Sequence, residues 1–398
     1  MVSTTFVTTI LGIVALSSAH RWKNDVPGTI ELPLTLVEAA AGEGPLYLVN
    51  ISIGTPPQEV TVQIDTGSSD LWVFASNVEC DNAYGCLGSS FVSNASRTLV
   101  DDMPNKFVYS YGSGANGTGD FVTDDLHIGG KTIKNARFGI SHDAYGISPT
   151  YGIMGLGFPG GEAAVQSGLS EYNTTVMAMK NQGVINSAAF SIYLNDVDSE
   201  GSILFGGYDT AKYSGDLKTL NVIEFDDAYG QWYINLTAIG TSTISSDGSS
   251  STSWYGNSSV AGAAFIDSGS PKIFVPGNGA MNVILDLGGE YDYSLSSSLI
   301  PCSAKNKTDV TVDVLLGGSN GPLIQIPIHQ LIEPYTGGNV TIDGEEACSF
   351  GVSPGPDGFQ ILGDAFLRGA YTVFNMDNHT VSVADIKLNV KESKIIAL

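Results

Sequence analysis

Two short segments of the chain could do chemistry together. Ile64-Asp65-Thr66-Gly67-Ser68 and Ile266-Asp267-Ser268-Gly269-Ser270 repeat one pattern, apolar–Asp–hydroxyl–Gly–Ser, 202 residues apart. In each, an apolar run leads into the aspartate and small residues follow, so the carboxyl sits where a buried strand enters a tight turn. A lone charge is costly there. Gly67 and Gly269 permit close backbone approach, while Thr66, Ser68, Ser268 and Ser270 offer hydroxyls to a carboxylate or its neighbours. If the two halves of the chain meet about a two-fold axis, Asp65 and Asp267 become neighbours. Two adjacent carboxylates cannot both ionise cheaply, so they hold one proton in common and titrate as a pair. Such a pair contains a base and an acid at once. It can activate water against an amide carbonyl with no metal, cofactor or nucleophilic side chain, and its working range is expected to be acidic. A single Asp-Thr-Gly is an ordinary turn; the repetition carries the reading.

The surrounding elements repeat as well. Ile153-Met154-Gly155-Leu156-Gly157 in the first half is echoed by Ile361-Leu362-Gly363-Asp364 in the second. Alternating runs at 47–53, 60–64 and 106–111, bounded by Gly, Pro and Asn, predict strands and hairpins. Helical patterning is sparse, with candidates at 171–182, broken by Gly183, and at 279–287, ended by Gly288-Gly289. With 48 glycines, 42% hydrophobic residues and only 15% charged residues among 398, the chain reads as all-β rather than disordered or helical.

Charge and cysteine content set the surroundings. Lys plus Arg number 17 against 41 Asp plus Glu, a net charge of −24, which makes nucleic acid and anionic membranes poor partners. The same surplus should repel itself less in acid, so stability is expected to fade toward neutral pH. The apolar run 6–16, followed by Ser17-Ser18-Ala19, fits a secretory signal over 1–19, and 20–43 reads as a short leader. No later stretch predicts a membrane anchor. Four cysteines suit an oxidising compartment, and their grouping predicts the disulfides Cys80–Cys86 and Cys302–Cys348 rather than a zinc site. Sequons at Asn94, Asn116, Asn173, Asn235, Asn257, Asn306, Asn339 and Asn378 agree with secretion. Asn50, inside a strand pattern, is a poorer acceptor. Two glycine-rich runs, 112–117 and 155–160, spell a dinucleotide fingerprint without the strand-to-helix context it needs. Gly317-Gly318-Ser319-Asn320-Gly321 spells a nucleophile elbow, but Pro322 and an apolar strand pattern at 323–328 follow, so it reads as a hairpin turn and His329 as no catalytic base.

Taken together, the segment Ile64 to Val73, the run Tyr111-Gly112-Ser113-Gly114 and the run Ile361 to Arg368 resemble the pepsin family of aspartic proteases, especially its secreted fungal members, from about Tyr47 to Ala384. The resemblance implies a bilobal, pepsin-like fold with an N-terminal catalytic lobe over 44–192 and a C-terminal lobe over 193–398. It implies catalytic Asp65 and Asp267 on the floor of the cleft between them. It further implies a hairpin flap bearing Tyr111, with Trp72 supporting it and Gly112 and Ser113 contacting a bound peptide. Polypeptide substrates, inhibitors of the pepstatin type, a monomer without cofactor, and an extracellular rather than vacuolar destination follow from the same likeness. The second motif departs from the usual threonines but keeps its hydroxyls. Tyr151 and Asn375 stand where the family usually has Asp, and the leader lacks a dibasic processing site. A catalytically silent binding protein and a glycosidase are the competing readings; the intact aspartates count against the first and the symmetry of the two motifs against the second.

Overall fold

The computed structural model describes residues 26–38, 45–81, 85–146, 150–197, 199–245, 247–255, 260–356 and 358–398. The expected signal segment, residues 20–25 and 39–43 of the expected leader, and Asn257 lie outside the described residues. The protein is built mainly of strands with a few short helices, in the bilobal arrangement that the resemblance implies. One sheet of fourteen strands runs from Tyr213–Asn221 through the centre of the molecule to the hairpin Val100–Ser110/Asn116–Ile128. A second, of eight strands, carries the other aspartate motif.

The two repeated motifs fold alike. In the first half, Gly152–Gly155 lies between Gln58–Asp65, to which it runs parallel, and Leu71–Asp81, to which it runs antiparallel. In the second half, Ile361–Leu362 lies between Gly262–Ile266 and Ile273–Pro276 with the same two senses. Each apolar-Gly step found in the sequence is therefore the central strand of a three-strand unit. It also holds the aspartate turn by its backbone: Leu156 N donates to Asp65 O at 2.8 Å, and Asp267 N donates to Leu362 O at 3.1 Å. Every second residue of these strands enters one core; Ile64, Met154, Ile266 and Leu362 all belong to it.

Both expected helices form, over Thr175–Asn181 and Gly277–Asp286. The first begins later than its pattern suggested because Tyr172 is engaged elsewhere: its hydroxyl donates to Asp70 and its N–H to Glu162. The segment 317–321 is the turn of an antiparallel hairpin between Val310–Leu316 and Leu323–Pro327, as expected. Both disulfides are present, one in each half. The sequon asparagines that are described, and Asn50 too, are exposed. Asn50 does lie in the strand Pro45–Ile53, but on its outer face, where its Oδ1 accepts from Thr61 Oγ1 at 2.7 Å. Residues 30–38, which the sequence reading assigned to the leader, form an inner strand of the largest sheet.

Candidate active site

Asp65 ends its strand and Asp267 follows directly on Ile266, so each carboxyl emerges at the mouth of a tight turn. The two turns bond their carboxyls identically. Gly67 N donates to Asp65 Oδ1 at 2.7 Å, and Ser68 Oγ donates to Asp65 Oδ2. Gly269 N donates to Asp267 Oδ1 at 2.9 Å, and Ser270 Oγ donates to Asp267 Oδ2 at 2.6 Å. Backbone and hydroxyl donors of this kind steady a carboxylate and fix its plane. Both side chains are buried.

The glycines reveal how close the pair lies. A Cβ on Gly67 would collide with the carboxyl of Asp267, and one on Gly269 with that of Asp65. Each half's glycine thus faces the other half's aspartate, and the carboxyls are clasped between two bare stretches of backbone. Beneath them the halves are locked. Thr66 N donates to Ser268 Oγ at 3.1 Å and Ser268 N to Thr66 Oγ1 at 2.9 Å. Thr66 Oγ1 donates in turn to Ile266 O at 2.8 Å, and Ser268 Oγ to Ile64 O at 3.1 Å. Burial, then the neighbouring Asp267 carboxylate, pushes the Asp65 carboxyl well above the usual range; the bond from Ser68 opposes this.

Above the pair, the hairpin Val100–Ser110/Asn116–Ile128 turns through 111–115, closed by Tyr111 N donating to Ala115 O at 2.9 Å. Gly112 and Ser113 are exposed at its tip. Trp72 Nε1 donates to Tyr111 Oη at 2.8 Å, and the Trp72 ring, fully buried, stacks on Tyr109 with centroids 4.5 Å apart. Burial and the nearby Asp65 charge raise the Tyr111 phenol well above its ordinary value. The structure thus brings Asp65, Asp267, their hydroxyl and glycine neighbours, Tyr111 and Trp72 to one place. Of the described sequon asparagines, Asn116 stands at the base of the flap turn, where its Nδ2 donates to Gly114 O at 3.0 Å, and Cys86 packs against the cluster that contains Trp72 and Tyr111.

Three features escaped the sequence. Gln231 Nε2 reaches Gly67 O at 2.7 Å and Trp232 Nε1 reaches Leu156 O at 3.0 Å, so a segment with no motif of its own braces the first aspartate turn. Second, Phe265, two residues before Asp267, projects to the same face as that carboxyl, whereas Ile266 points into the core. Tyr233 pairs with Phe265 across the ladder. Phe359, Phe265, Tyr233 and Phe225 form a string of rings with successive centroids 5.4, 5.2 and 4.8 Å apart. The corresponding position in the first half is Gln63, so the string belongs to one side of the pair alone. The spacing of Phe265 was readable, but its partners come from register. Third, Asp70 accepts from Tyr172 Oη at 2.6 Å and Ala163 N at 2.8 Å, beside Glu162. Burial raises both acids, Glu162 to about 8. Among the described residues no group of His, Cys, Asp and Glu is arranged to hold a metal ion.

Comparison with known proteins agrees with this geometry. The family model described as eukaryotic aspartyl protease matches residues 46–386. The chain is 35% identical over 359 residues to a probable aspartic-type endopeptidase opsB of Aspergillus fumigatus, covering 89% of this chain and 71% of the relative. It is 32% identical to an acid protease of Saccharomycopsis fibuligera over 94% of this chain and 89% of the relative. A secreted aspartic protease 8 of Candida albicans matches at 29% identity over 90% and 80% of the two chains. The fold is shared with the crystal structure of an aspartic proteinase from Irpex lacteus, with a TM-score of 0.70 and 20% identity over 92% of this chain and 100% of that one. The chain therefore belongs to the eukaryotic aspartyl protease family and is an aspartic-type endopeptidase acting on polypeptides.

Proposed function

We propose that Asp65 and Asp267 are the catalytic pair and that they cleave peptide bonds in acid by activating a water between them. The observation that supports this most is the clasp itself: two buried carboxyls, each bonded by its own Gly N–H and Ser hydroxyl, each pressed against the other half's glycine. Packed so closely, the pair retains one proton through the acid range. The ionised carboxyl takes a proton from water as its oxygen bonds to the scissile carbonyl carbon, and the protonated one gives its proton to the carbonyl oxygen. The tetrahedral diol then collapses: the pair gives the proton it took from water to the amide nitrogen as the C–N bond breaks and the amine leaves, and a diol hydroxyl returns a proton to the pair as the product carboxyl forms. Thr66 and Ser268 act as positioning residues, since they tie the two turns to each other. Thr66, Gly67, Ser68, Ser268, Gly269 and Ser270 together hold the two carboxyls against each other.

Tyr111 on its hairpin closes over an extended peptide, braced by Trp72, with Gly112 and Ser113 offering backbone and hydroxyl contacts. The aromatic string beside Asp267 suits a bulky apolar side chain next to the scissile bond. Secretion is supported by the exposed sequons, the two disulfides and the printed name of the Candida relative. No helix among the described residues is long and apolar enough to cross a membrane. Action as a monomer, and inhibition by pepstatin-type peptides that fill the cleft, belong to the same reading. The test is a mixed peptide library incubated at acid pH with wild type and with Asp267→Asn, products read by mass spectrometry. Internal cleavage by wild type alone supports the reading; equal cleavage by both removes it.

A further inference from the structure

Away from the aspartate pair, the strand Lys131–Tyr145 and the helix Thr175–Asn181 bound a cavity of about 240 Å³. Its walls include Thr123, Asn135, Arg137, Tyr172, Asn173 and Gln182. The volume falls below the ~300–1,000 Å³ of a site for a drug-sized ligand, so it suits a single ring. The walls are held firmly. Tyr172 is tied by its hydroxyl to Asp70 and by its N–H to Glu162, and Phe121 meets its ring edge-on with centroids 5.9 Å apart. Gln182 is fixed at both ends of its amide: Nε2 donates to Lys134 O and Oε1 accepts from Lys134 N, each at 2.8 Å. The Arg137 guanidinium sits 5.5 Å from the centre of the Tyr172 ring and donates from Nη2 to Asp102. Its Nε is buried and has no partner among the described residues. A buried donor left unpaired is costly, so this wall favours an occupant that brings an acceptor.

Asn173 decides what that occupant is. It opens the sequon Asn173-Thr174-Thr175, it is exposed, and it forms part of the wall itself. Its Oδ1 accepts from Asn181 Nδ2 at 3.0 Å, which fixes the amide and turns its nitrogen away from Asn181. We propose that the cavity seats the first N-acetylglucosamine of a glycan carried on Asn173. In the secretory pathway Nδ2 attacks C1 of that sugar on a lipid-diphosphate donor: the C1–O bond breaks, the N–C1 bond forms, the diphosphate leaves and Nδ2 gives up one proton. The sugar is then tethered at the rim, where weak contacts suffice because the tether supplies a high effective concentration. Its acetamide carbonyl and hydroxyls match Arg137 Nε–H and the Asn135 amide, and its C–H faces match the Tyr172 ring. Asp102 already balances the Arg137 charge, so a neutral occupant suits the site better than an anion. A filled seat ties the segment 171–175 to the strand Lys131–Tyr145. This inference rests on the secretion reading and on no catalytic step.

The experiment uses the full chain expressed in a eukaryotic host and collected from the medium. Glycopeptide masses first show which sequons carry sugar; a secreted chain bare at Asn173 overturns the proposal. The folded protein is then treated with a peptide N-glycosidase, which must reach the bond between asparagine and the first sugar, and release is followed site by site. Release at Asn173 is expected to be at least about tenfold slower than at the other occupied sequons and than at Asn173 of the unfolded chain, because the seat must open first. Equal rates overturn the proposal. In the second arm Asn135→Gly removes one wall of the seat and suits the φ of +49° at that position. The variant is expected to release the Asn173 glycan faster than wild type while the other sites keep their rates. An unchanged rate at Asn173 overturns the seat. Failure of the secretion reading shows separately, as a chain absent from the medium and bare at every sequon, and it overturns both readings.

Discussion

Thr66 and Ser268, 202 residues apart, exchange hydrogen bonds: each backbone N–H donates to the other's hydroxyl, at 3.1 and 2.9 Å. The hydroxyls then donate across the halves to Ile266 O and Ile64 O, the carbonyls just before the two aspartates. Each residue is both donor and acceptor in a closed, buried set, and that set fixes the distance between the two carboxyls. The second motif uses serine where the first uses threonine, and both hydroxyls make the same bonds.

Removing one hydroxyl should therefore cost more than one bond. Thr66→Val leaves Ser268 N and Ile266 O without their partner in a buried site, an expected loss of about 1–3 kcal/mol. Ser268→Ala is expected to cost a similar amount, and the double variant less than the sum, because both break one network. Denaturant melts at acid pH check this. Strict additivity would show that the two residues act separately.

Stability should fall as pH rises, and the sign follows from burial. Asp65, Asp70, Asp364 and Glu162 all hold their protons to higher pH in the folded chain than when unfolded, chiefly because burial penalises their charge. The folded state then binds more protons, so stability is full below the ordinary carboxyl range and is lost as pH passes through the folded values. For Glu162 that window runs from 4.5 to about 8. Within it one such group weakens folding by ~1.4 kcal/mol per pH unit. Glu162→Gln, which keeps an acceptor for Tyr172 N, is expected to flatten the decline of melting temperature between pH 4 and 8. Parallel curves for the two proteins would contradict this cause. The surplus of negative charge pointed in the same direction from the sequence; the structure supplies buried carboxyls as a further source.

Tyr111→Phe keeps the ring but leaves Trp72 Nε1 without the hydroxyl it donates to at 2.8 Å. A fall in kcat/KM of about tenfold is expected, together with a lowered melting temperature, because the N–H of the fully buried Trp72 loses its acceptor. An unchanged kcat/KM would remove the hydroxyl from the account of the flap.

The aromatic string makes a prediction about substrates. Phe225 and Phe359 are its exposed ends, at 49% and 41% exposure, so truncating them should not unfold the protein. Phe225→Ala and Phe359→Ala are each expected to lower the preference for a bulky apolar residue over alanine by about three- to tenfold in kcat/KM. Paired peptides differing at one position beside the scissile bond provide the measurement. A preference that survives both changes would place substrate selection elsewhere.

Much of this site was legible because its chemistry is local. The aspartate turns, their hydroxyls and the repeated apolar-Gly steps each occupy a few consecutive residues, and the same tight turn demands the same residues twice. Tyr111 and Trp72 gained their roles only from resemblance, since aromatics in strands mostly pack cores. Gln231, Tyr233 and Glu162 gave no local signal: their importance comes from sheet register and from burial, which arise only once distant segments meet. The place of the strand Ile30–Glu38 in the largest sheet was hidden for a related reason. Its alternation is that of any half-buried strand, and nothing in nine residues says which sheet will receive them.

The central claim is that one proton, shared by Asp65 and Asp267, lets water cleave the peptide bond. Its most direct test is the pH profile of kcat/KM from pH 2 to 8 for wild type and Asp65→Asn on one peptide. The account predicts a bell with an acid maximum for wild type and a loss of at least about a thousandfold at every pH for the variant. A variant that retains the wild-type profile would contradict it.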